Sequence, residues 1–240
     1  MGTAVSIELA DDRPADALRG LIDDVCAWLH EVDARFSTYK EDSEVSRMRR
    51  GELADPSPDL QHVLAACADL WKETDGYFDA FAGGALDPSG YVKGWSVEVA
   101  SARLADAGCA SHYINAGGDI RMRGHHPGGG PWRVGIRHPW HADKLSWVLA
   151  LHDGAVATSG TYERGGHVLN PRTGEPAVGL RSVTVVGPSL SLADAYATAA
   201  LAMGEAGLSW LATKATDGYE SAVVTDDGRA FSSAGLPAAV

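Results

Sequence analysis

The chain has 240 residues, of which 45% are hydrophobic, and a formal net charge of −12 at pH 7. This length and composition allow a sizeable buried core in one large domain or two small ones. The acidic balance argues against nucleic acid as the main partner, because neutralising its phosphates needs a basic surface. A small phosphorylated ligand is still compatible with it, since a metal and a few local cations can overcome the overall charge.

The spacing of the cysteines and the hydropathy of the chain indicate the cellular compartment of the protein. The three scattered cysteines form no CxxC pair, which fits a reducing compartment without a disulfide framework. No apolar run approaches the roughly 18 residues of a membrane span, and the amino terminus alternates like a strand rather than like a signal peptide. We therefore expect a cytoplasmic protein without a membrane anchor.

In the first third of the chain, hydrophobic periodicity predicts a strand over residues 1–9 and amphipathic helices over 14–33 and 58–74. A near-capping-box pattern predicts a short helix starting at Ser43. Before it, residues 37–40 read Ser-Thr-Tyr-Lys and offer hydroxyls, an aromatic face and a charge. Tyr39 could stack on a nucleotide base, although the residue taken alone fits a packed surface aromatic better.

The next segment combines glycines with charged residues. Asp79 lies between aromatic residues and could form a turn or contact a ligand. Residues 87–90 have the composition of a turn, and we predict a helix that begins after Gly94 and ends at Gly108. A glycine-rich turn, then Lys93, then a helix amino terminus is typical of an anion site, although the P-loop spacing is absent.

Residues 111–123 predict two strands around a tight loop in which Gly117 and Gly118 could admit a ligand or another backbone, or simply make a hairpin turn. The later pattern predicts strands over residues 132–137, 145–151, 154–158, 182–187 and 221–225 and near residue 231, with helices over 194–203 and 206–215. We therefore expect an α+β (mixed α/β) fold with its ligand in a cleft between two halves of the chain.

Two stretches are rich in groups that bind ligands. Residues 158–174 contain Ser, Thr, Gly, Arg and His, which suit an anion or nucleotide better than a core. Asp194 and Thr198 are four residues apart, so on a helix both oxygens face the same way and form half of a Mg²⁺ site. Asp194 alone would also suit a helix N-cap.

Nine short motifs occur one after another, in a specific order, along nearly the whole chain. They are Met1–Thr3, Ser37–Tyr39, Ser43–Ser46, Gly76–Asp79, Gly90–Trp95, Asn115–Asp119, Thr158–Gly160, His167–Gly174, and Ala193–Ala195 with Thr198. Each motif alone is weak, but together they make the chain resemble the ApbE family of flavin transferases (FAD:protein FMN transferases).

The resemblance implies a single domain over residues 1–240, with a T-fold-like architecture of two lobes and a ligand cleft between them. It implies a Mg²⁺-dependent enzyme that cleaves FAD, attaches FMN through a phosphoester to a Thr or Ser of a target flavoprotein, and releases AMP. The corresponding metal ligands are the Gly90 carbonyl, Asp194 and Thr198. The FAD-binding positions are Met1, Ser37, Thr38, Tyr39, Asp79, Lys93, Gly117, Gly118 and His167, with Tyr39 stacking on adenine.

His167 and Asp194 are the expected catalytic residues, and the base that activates the acceptor hydroxyl is His167 or a nearby carboxylate. His167 taken alone would also suit a structural role in a loop. The alternatives to a transferase are an FAD pyrophosphatase that uses water, and an FAD-binding protein without turnover. Two features depart from the family pattern: Asn170 replaces an Asp, and the segment between Asp79 and Gly90 is shorter than in longer members.

Overall fold

The computed structural model describes residues 2–161 and 168–239. Its strands are β1 (Val5–Leu9), β2 (His112–Ala116), β3 (Asp119–Arg123), β4 (Trp132–Arg137), β5 (Leu145–Leu151), β6 (Gly154–Gly160), β7 (Leu180–Gly187), β8 (Glu220–Thr225) and β9 (Ala230–Ser232). Its α-helices are α1 (Ala15–Phe36), α2 (Glu44–Arg49), α3 (Pro58–Glu73), α4 (Ser89–Asp106), α5 (Leu190–Met203) and α6 (Ala206–Lys214), and a 3-10 turn follows at Ala215–Asp217.

Seven strands form one antiparallel sheet in the order β1-β2-β3-β6-β7-β8-β9, and β4 pairs with β5 in a separate antiparallel hairpin. Helices and antiparallel strands are therefore combined as the α+β prediction required. Between β2 and β3, Gly117 and Gly118 have positive φ angles of 64° and 103°, which residues with a side chain rarely adopt. The predicted tight glycine loop is thereby confirmed.

The two faces of the main sheet are covered differently. The larger hydrophobic cluster lies between the sheet and the helices, and the smaller one joins the sheet to the β4–β5 hairpin through residues such as Met122, Trp132 and Leu149. Helix α5 is the central helix, because it contacts β6, β7, α4 and α6. Helix α5 contains many buried alanines, and their small side chains allow the backbones of neighbouring elements to lie close to it.

Two helices begin earlier than the sequence predicted. Helix α4 starts at Ser89 instead of after Gly94, so Lys93 lies within the helix and not in a turn that precedes it. The prediction failed because glycine was interpreted as a turn residue. A Cβ at Gly94 would lie 2.6 Å from the Leu190 carbonyl oxygen, so this glycine permits contact between two helices.

Helix α5 starts at Leu190, with Ser189 in the N-cap position. The interpretation of Asp194 as an N-cap is therefore wrong, because Asp194 lies in the second turn. Other boundaries differ by a few residues: β1 covers only Val5–Leu9 of the predicted strand, and α1 continues to Phe36. Across residues 2–161 and 168–239, no helix combines the length and apolar character needed to cross a membrane.

Candidate functional site

A cavity of about 620 Å³ opens beside α1, α4, α5 and the end of β6, within the usual size range of small-molecule sites. The residues predicted for the site that line it are Ser37, Thr38, Tyr39, Asp79, Gly90, Lys93, Gly117, Asp194 and Thr198. Gly118 does not line it, and instead its N–H donates a hydrogen bond to Asn115 Oδ1 at 2.8 Å within the hairpin turn. Met1 and His167 lie outside the described residues.

The loop after α1 presents an exposed aromatic ring to the cavity. Tyr39 is 96% exposed, so the alternative interpretation of this residue as a packed surface aromatic is wrong. The backbone beneath it is ordered by hydrogen bonds: Tyr39 N donates to Ser37 Oγ at 3.2 Å, and Ser43 Oγ donates to the Ser37 carbonyl at 2.6 Å. The ordered backbone therefore places Tyr39 at the cavity, and the faces of its ring are open to a planar ligand.

Two other wall residues owe their place to local backbone geometry. Asp79 Oδ1 accepts a hydrogen bond from Phe81 N at 2.7 Å, which confirms its role as a turn-former, and the residue also lines the cavity. At Gly117 a Cβ would lie 2.2 Å from Thr3 Oγ1. This glycine therefore lets the amino-terminal segment pack against the hairpin turn.

A charged cluster occupies the wall formed by α4, α5 and β3. The Lys93 ammonium forms a salt bridge with Asp119 Oδ2 and lies 3.6 Å from Asp194 Oδ1. Both carboxylates are almost fully buried, whereas Lys93 is 29% exposed. Among the residues that the structure describes, one ammonium thus faces two buried carboxylates, and buried carboxylates favour a further cation or a proton.

The environment of Asp194 changes its ionisation. Burial, and after it the charge of Asp119, raise the pKa of this carboxyl from 3.8 to about 7. Lys93 and the Gly94 N–H, which donates to Asp194 Oδ2 at 3.1 Å, act in the opposite direction. A strongly shifted carboxyl pKa in the wall of a cavity is a frequent property of functional sites.

Two hydroxyl groups, those of Thr198 and Ser159, line the same cavity. Thr198 lies one turn after Asp194, and both line the cavity, as their spacing predicted. Thr198 Oγ1 is 3.2 Å from Ser159 Oγ at the end of β6. The described parts of the chain contain no group of three or more His, Cys, Asp or Glu side chains that could hold a metal ion. A metal here would therefore need hydroxyl and carbonyl oxygens in addition to Asp194.

The sequence analysis did not predict Asp119 as a site residue, although it predicted the glycine loop that ends at this residue. Asp119 Oδ1 accepts a hydrogen bond from Thr158 N at 3.1 Å, and its other oxygen contacts Lys93. The signal in the sequence was an acidic residue that directly follows two glycines and opens a strand. A carboxylate buried in a strand requires a cation or hydrogen-bond donors nearby.

The two departures from the family pattern have simple structural settings. Asn170 Oδ1 accepts a hydrogen bond from Arg172 N at 2.9 Å, and the Asn170 carbonyl accepts one from Gly174 N at 2.9 Å. Asp and Asn both form this kind of turn, so Asn170 retains a contact that an Asp could make. In the short segment after Asp79, the Asp87 N–H donates to the Ala80 carbonyl at 2.6 Å, and both residues line the cavity.

Comparison with known proteins places the chain in a family. The family model described as "ApbE family" matches residues 1–85 and 80–222. The chain belongs to the ApbE family. Among its ApbE relatives, a protein from Rhodobacter capsulatus named FAD:protein FMN transferase is 38% identical over 155 residues, which are 61% of this chain but only 29% of that protein. A protein of the same name from Vibrio cholerae is 27% identical over 267 aligned residues, covering 85% of this chain and 80% of that protein.

Solved ApbE structures share the fold. The ApbE protein from Thermotoga maritima superposes with a TM-score of 0.87 at 23% identity, covering 97% of this chain and 94% of that chain. The flavin transferase ApbE from Vibrio cholerae gives a TM-score of 0.83 at 25% identity, covering 98% and 94%. The mixed α/β architecture of this chain is therefore that of ApbE.

Proposed function

We propose that this ApbE-family chain is a Mg²⁺-dependent FAD:protein FMN transferase. It cleaves FAD, attaches FMN through a phosphoester to a Thr or Ser of a target flavoprotein, and releases AMP. The observation that carries this proposal is the convergence of Lys93, Asp194 and Thr198 on one cavity of about 620 Å³. The names of the Rhodobacter and Vibrio relatives support the same activity.

FAD suits the chemistry of the cavity along its length. Tyr39 presents an exposed ring on which adenine can stack, and Ser37 and Thr38 beside it offer hydroxyls. Deeper in the cavity, the Lys93 ammonium provides a positive charge for the pyrophosphate. Asp79 and Gly117 complete the contacts that we propose for FAD within the described residues.

The residues at the charged end fit Mg²⁺, which prefers oxygen ligands and commonly completes its shell with water and substrate phosphates. We propose the Asp194 carboxylate, the Thr198 hydroxyl and the Gly90 carbonyl as its protein ligands. The Gly94 N–H, one turn after Gly90 on α4, donates to Asp194 Oδ2 at 3.1 Å, so this part of α4 lies beside the Asp194 carboxylate.

When bound, Mg²⁺ would neutralise the charge that develops on the pyrophosphate oxygens. The Lys93 ammonium contributes further positive charge on the same side. The acceptor hydroxyl forms a new bond to the FMN phosphorus, and the bond from that phosphorus to the bridging oxygen breaks. AMP leaves with the electron pair, and the proton of the acceptor passes to His167 or to a carboxylate of the site.

The test measures AMP, free FMN and protein-bound FMN after incubation with FAD, with Mg²⁺ or EDTA, and with or without a candidate acceptor carrying an Asp-x-x-Ser/Thr-type sequence. The proposal expects a mass increase of the acceptor by one FMN, lost with EDTA. Free FMN without transfer would instead indicate a pyrophosphatase that uses water. FAD binding without either product would contradict both reactions and leave an FAD-binding protein.

Two carboxylate-to-amide variants provide a matched pair for this assay. Asp194→Asn changes a proposed metal ligand, whereas Asp153→Asn changes a carboxylate that pairs with Arg121 and does not line the cavity. We expect Asp194→Asn to lose AMP release and Asp153→Asn to retain it. Equal activity in the two variants would show that Asp194 is not part of the active site.

A further inference from the structure

Asp119 connects three parts of the cavity wall without lining the cavity itself. It opens β3, is 1% exposed, and pairs through Oδ2 with the ammonium of Lys93 on α4. Its Oδ1 accepts the N–H of Thr158 on β6 at 3.1 Å. Because Asp119 is buried behind residues that reach the cavity, any effect it has on a ligand must pass through those residues.

The position of Lys93 depends on which carboxylate it pairs with. Its ammonium is in direct contact with Asp119 and lies 3.6 Å from Asp194 Oδ1. A lysine side chain has four flexible methylene groups and carries its charge at a single point, so it can move between nearby partners. Without the charge of Asp119, this ammonium still lies within ion-pairing distance of the Asp194 carboxylate.

We propose that Asp119 is a positioning residue that holds the Lys93 ammonium at the cavity wall and keeps it off Asp194. This inference rests on the proposed function, in which Lys93 serves the pyrophosphate and Asp194 serves Mg²⁺. The contact between Asp119 and Lys93 therefore has two consequences. It fixes a positive charge for the substrate, and it leaves the Asp194 oxygens to the metal ion.

The proposed role of Asp119 predicts how substitutions of Asp119 and Lys93 combine in their effects on Mg²⁺ binding. Asp119→Asn keeps the size of the side chain and removes its charge, so Lys93 turns to Asp194 and competes there with Mg²⁺. Lys93→Met removes the ammonium and therefore the competitor. The harm that Asp119→Asn does to Mg²⁺ binding should disappear when Lys93 is already Met, since contacting residues are expected to be non-additive.

The experiment compares wild type, Asp119→Asn, Lys93→Met and the double variant, with Asp153→Asn as the control. One readout is the Mg²⁺ concentration that gives half of the maximal rise in thermal unfolding midpoint, measured without FAD. The other is the dissociation constant of FAD from flavin fluorescence in Mg²⁺ and in EDTA. Circular dichroism of each variant establishes that it is folded.

We expect Asp119→Asn to raise the half-saturating Mg²⁺ concentration roughly tenfold, which is the size of one lost charge-assisted interaction. In the Lys93→Met background the same substitution should leave the Mg²⁺ requirement nearly unchanged. Equal increases in both backgrounds would overturn the proposal, because Asp119 would then act independently of Lys93. An unchanged Mg²⁺ requirement in the single Asp119→Asn variant would overturn it as well.

The two readouts separate this inference from the proposed function. If the wild type binds Mg²⁺ but not FAD, the transferase proposal fails while the Mg²⁺ cycle still decides the role of Asp119. If the wild type binds FAD and transfers FMN but the substitutions are additive, the transferase proposal stands and the positioning role is wrong.

Discussion

Two ionic clusters connect β3 to α4 and α5, and they are built from residues two positions apart on the same strand. In the first, Asp119 pairs with Lys93, which lies 3.6 Å from Asp194. In the second, Arg121 pairs with Glu98 on α4 at 2.9 Å and with Asp153 at 2.7 Å. The first cluster forms part of the cavity wall, and the second lies away from it.

Among the described residues each cluster pairs one cation with two carboxylates, so the difference between the clusters lies in burial and in hydrogen bonding. Arg121 also donates to the Gly154 carbonyl at 2.9 Å, and the second oxygen of Glu98 accepts the Leu190 N–H at 2.7 Å at the start of α5. The carboxylates of Glu98 and Asp153 are 24% and 62% exposed, whereas those of Asp119 and Asp194 at the cavity are at most 4% exposed. We infer that the Arg121 cluster stabilises the fold, whereas the buried carboxylates of the Lys93 cluster favour a ligand that adds positive charge.

The largest expected effect is the loss of catalysis in Asp194→Asn. Removing the proposed carboxylate ligand should lower AMP release from FAD by roughly a thousandfold, corresponding to about 4 kcal/mol of transition-state stabilisation. Removing a buried charge of the excess sign should not lower the thermal unfolding midpoint. Calorimetry and AMP release measured on the same preparation check both statements. An unstable variant would show that Asp194 belongs with the structural cluster.

The opposite pattern is expected for Arg121→Met. This change leaves the Glu98 carboxylate without its buried cation and should lower the free energy of unfolding by about 3–5 kcal/mol. Urea denaturation measures this loss, and FAD binding by the remaining folded protein should change much less than in Asp194→Asn. A large loss of FAD affinity with little loss of stability would contradict the division between the clusters.

A smaller effect is expected where α4 and α5 cross beside the first cluster. In Gly94→Ala the new methyl group would lie 2.6 Å from the Leu190 carbonyl oxygen and 3.0 Å from Asp194 Cβ. The helices must then separate, which should cost about 1–3 kcal/mol of stability. Urea denaturation measures the stability, and AMP release should also fall because Asp194 moves. Gly20→Ala on α1, where a Cβ meets nothing within 4 Å and which does not line the cavity, is the steric control.

The smallest effect concerns a third contact of the same strand. Arg123 donates to Ser101 Oγ at 3.1 Å, and that hydroxyl lies 2.8 Å from Nε2 of the buried His112. Burial lowers the pKa of His112 below its ordinary value of 6.5. The unfolded chain then binds a proton more readily than the folded one, so stability is full above pH 6.5 and falls as the pH drops below it.

His112→Gln should remove this pH dependence. We expect the wild type to lose about 1 kcal/mol per pH unit below 6.5 until the folded histidine is protonated, and the variant to lose less. Free energies of unfolding at pH 8 and pH 5.5 measure the difference, and the exposed His126→Gln serves as the control. Identical slopes in wild type and His112→Gln would show that another group causes any acid sensitivity.

Local sequence patterns predicted the parts of the molecule that depend on local geometry. The spacing of Asp194 and Thr198 predicted their shared helix face, and alternation predicted most strands. The role of Gly94 was misjudged because a glycine that permits helix contact has the same local signature as one that permits a turn. Asp119 was missed because its partner Lys93 is distant in sequence and meets it only when the sheet and α4 pack together.

The most direct test of the account is the transfer assay with FAD, Mg²⁺ and an acceptor, run on wild type, Asp194→Asn and Asp153→Asn. We expect covalent FMN on the acceptor and equimolar AMP with wild type and with Asp153→Asn. With Asp194→Asn, or in the presence of EDTA, we expect neither product. Undiminished transfer by Asp194→Asn, or transfer in EDTA, would contradict the claim that the cluster at the cavity is a metal-dependent active site.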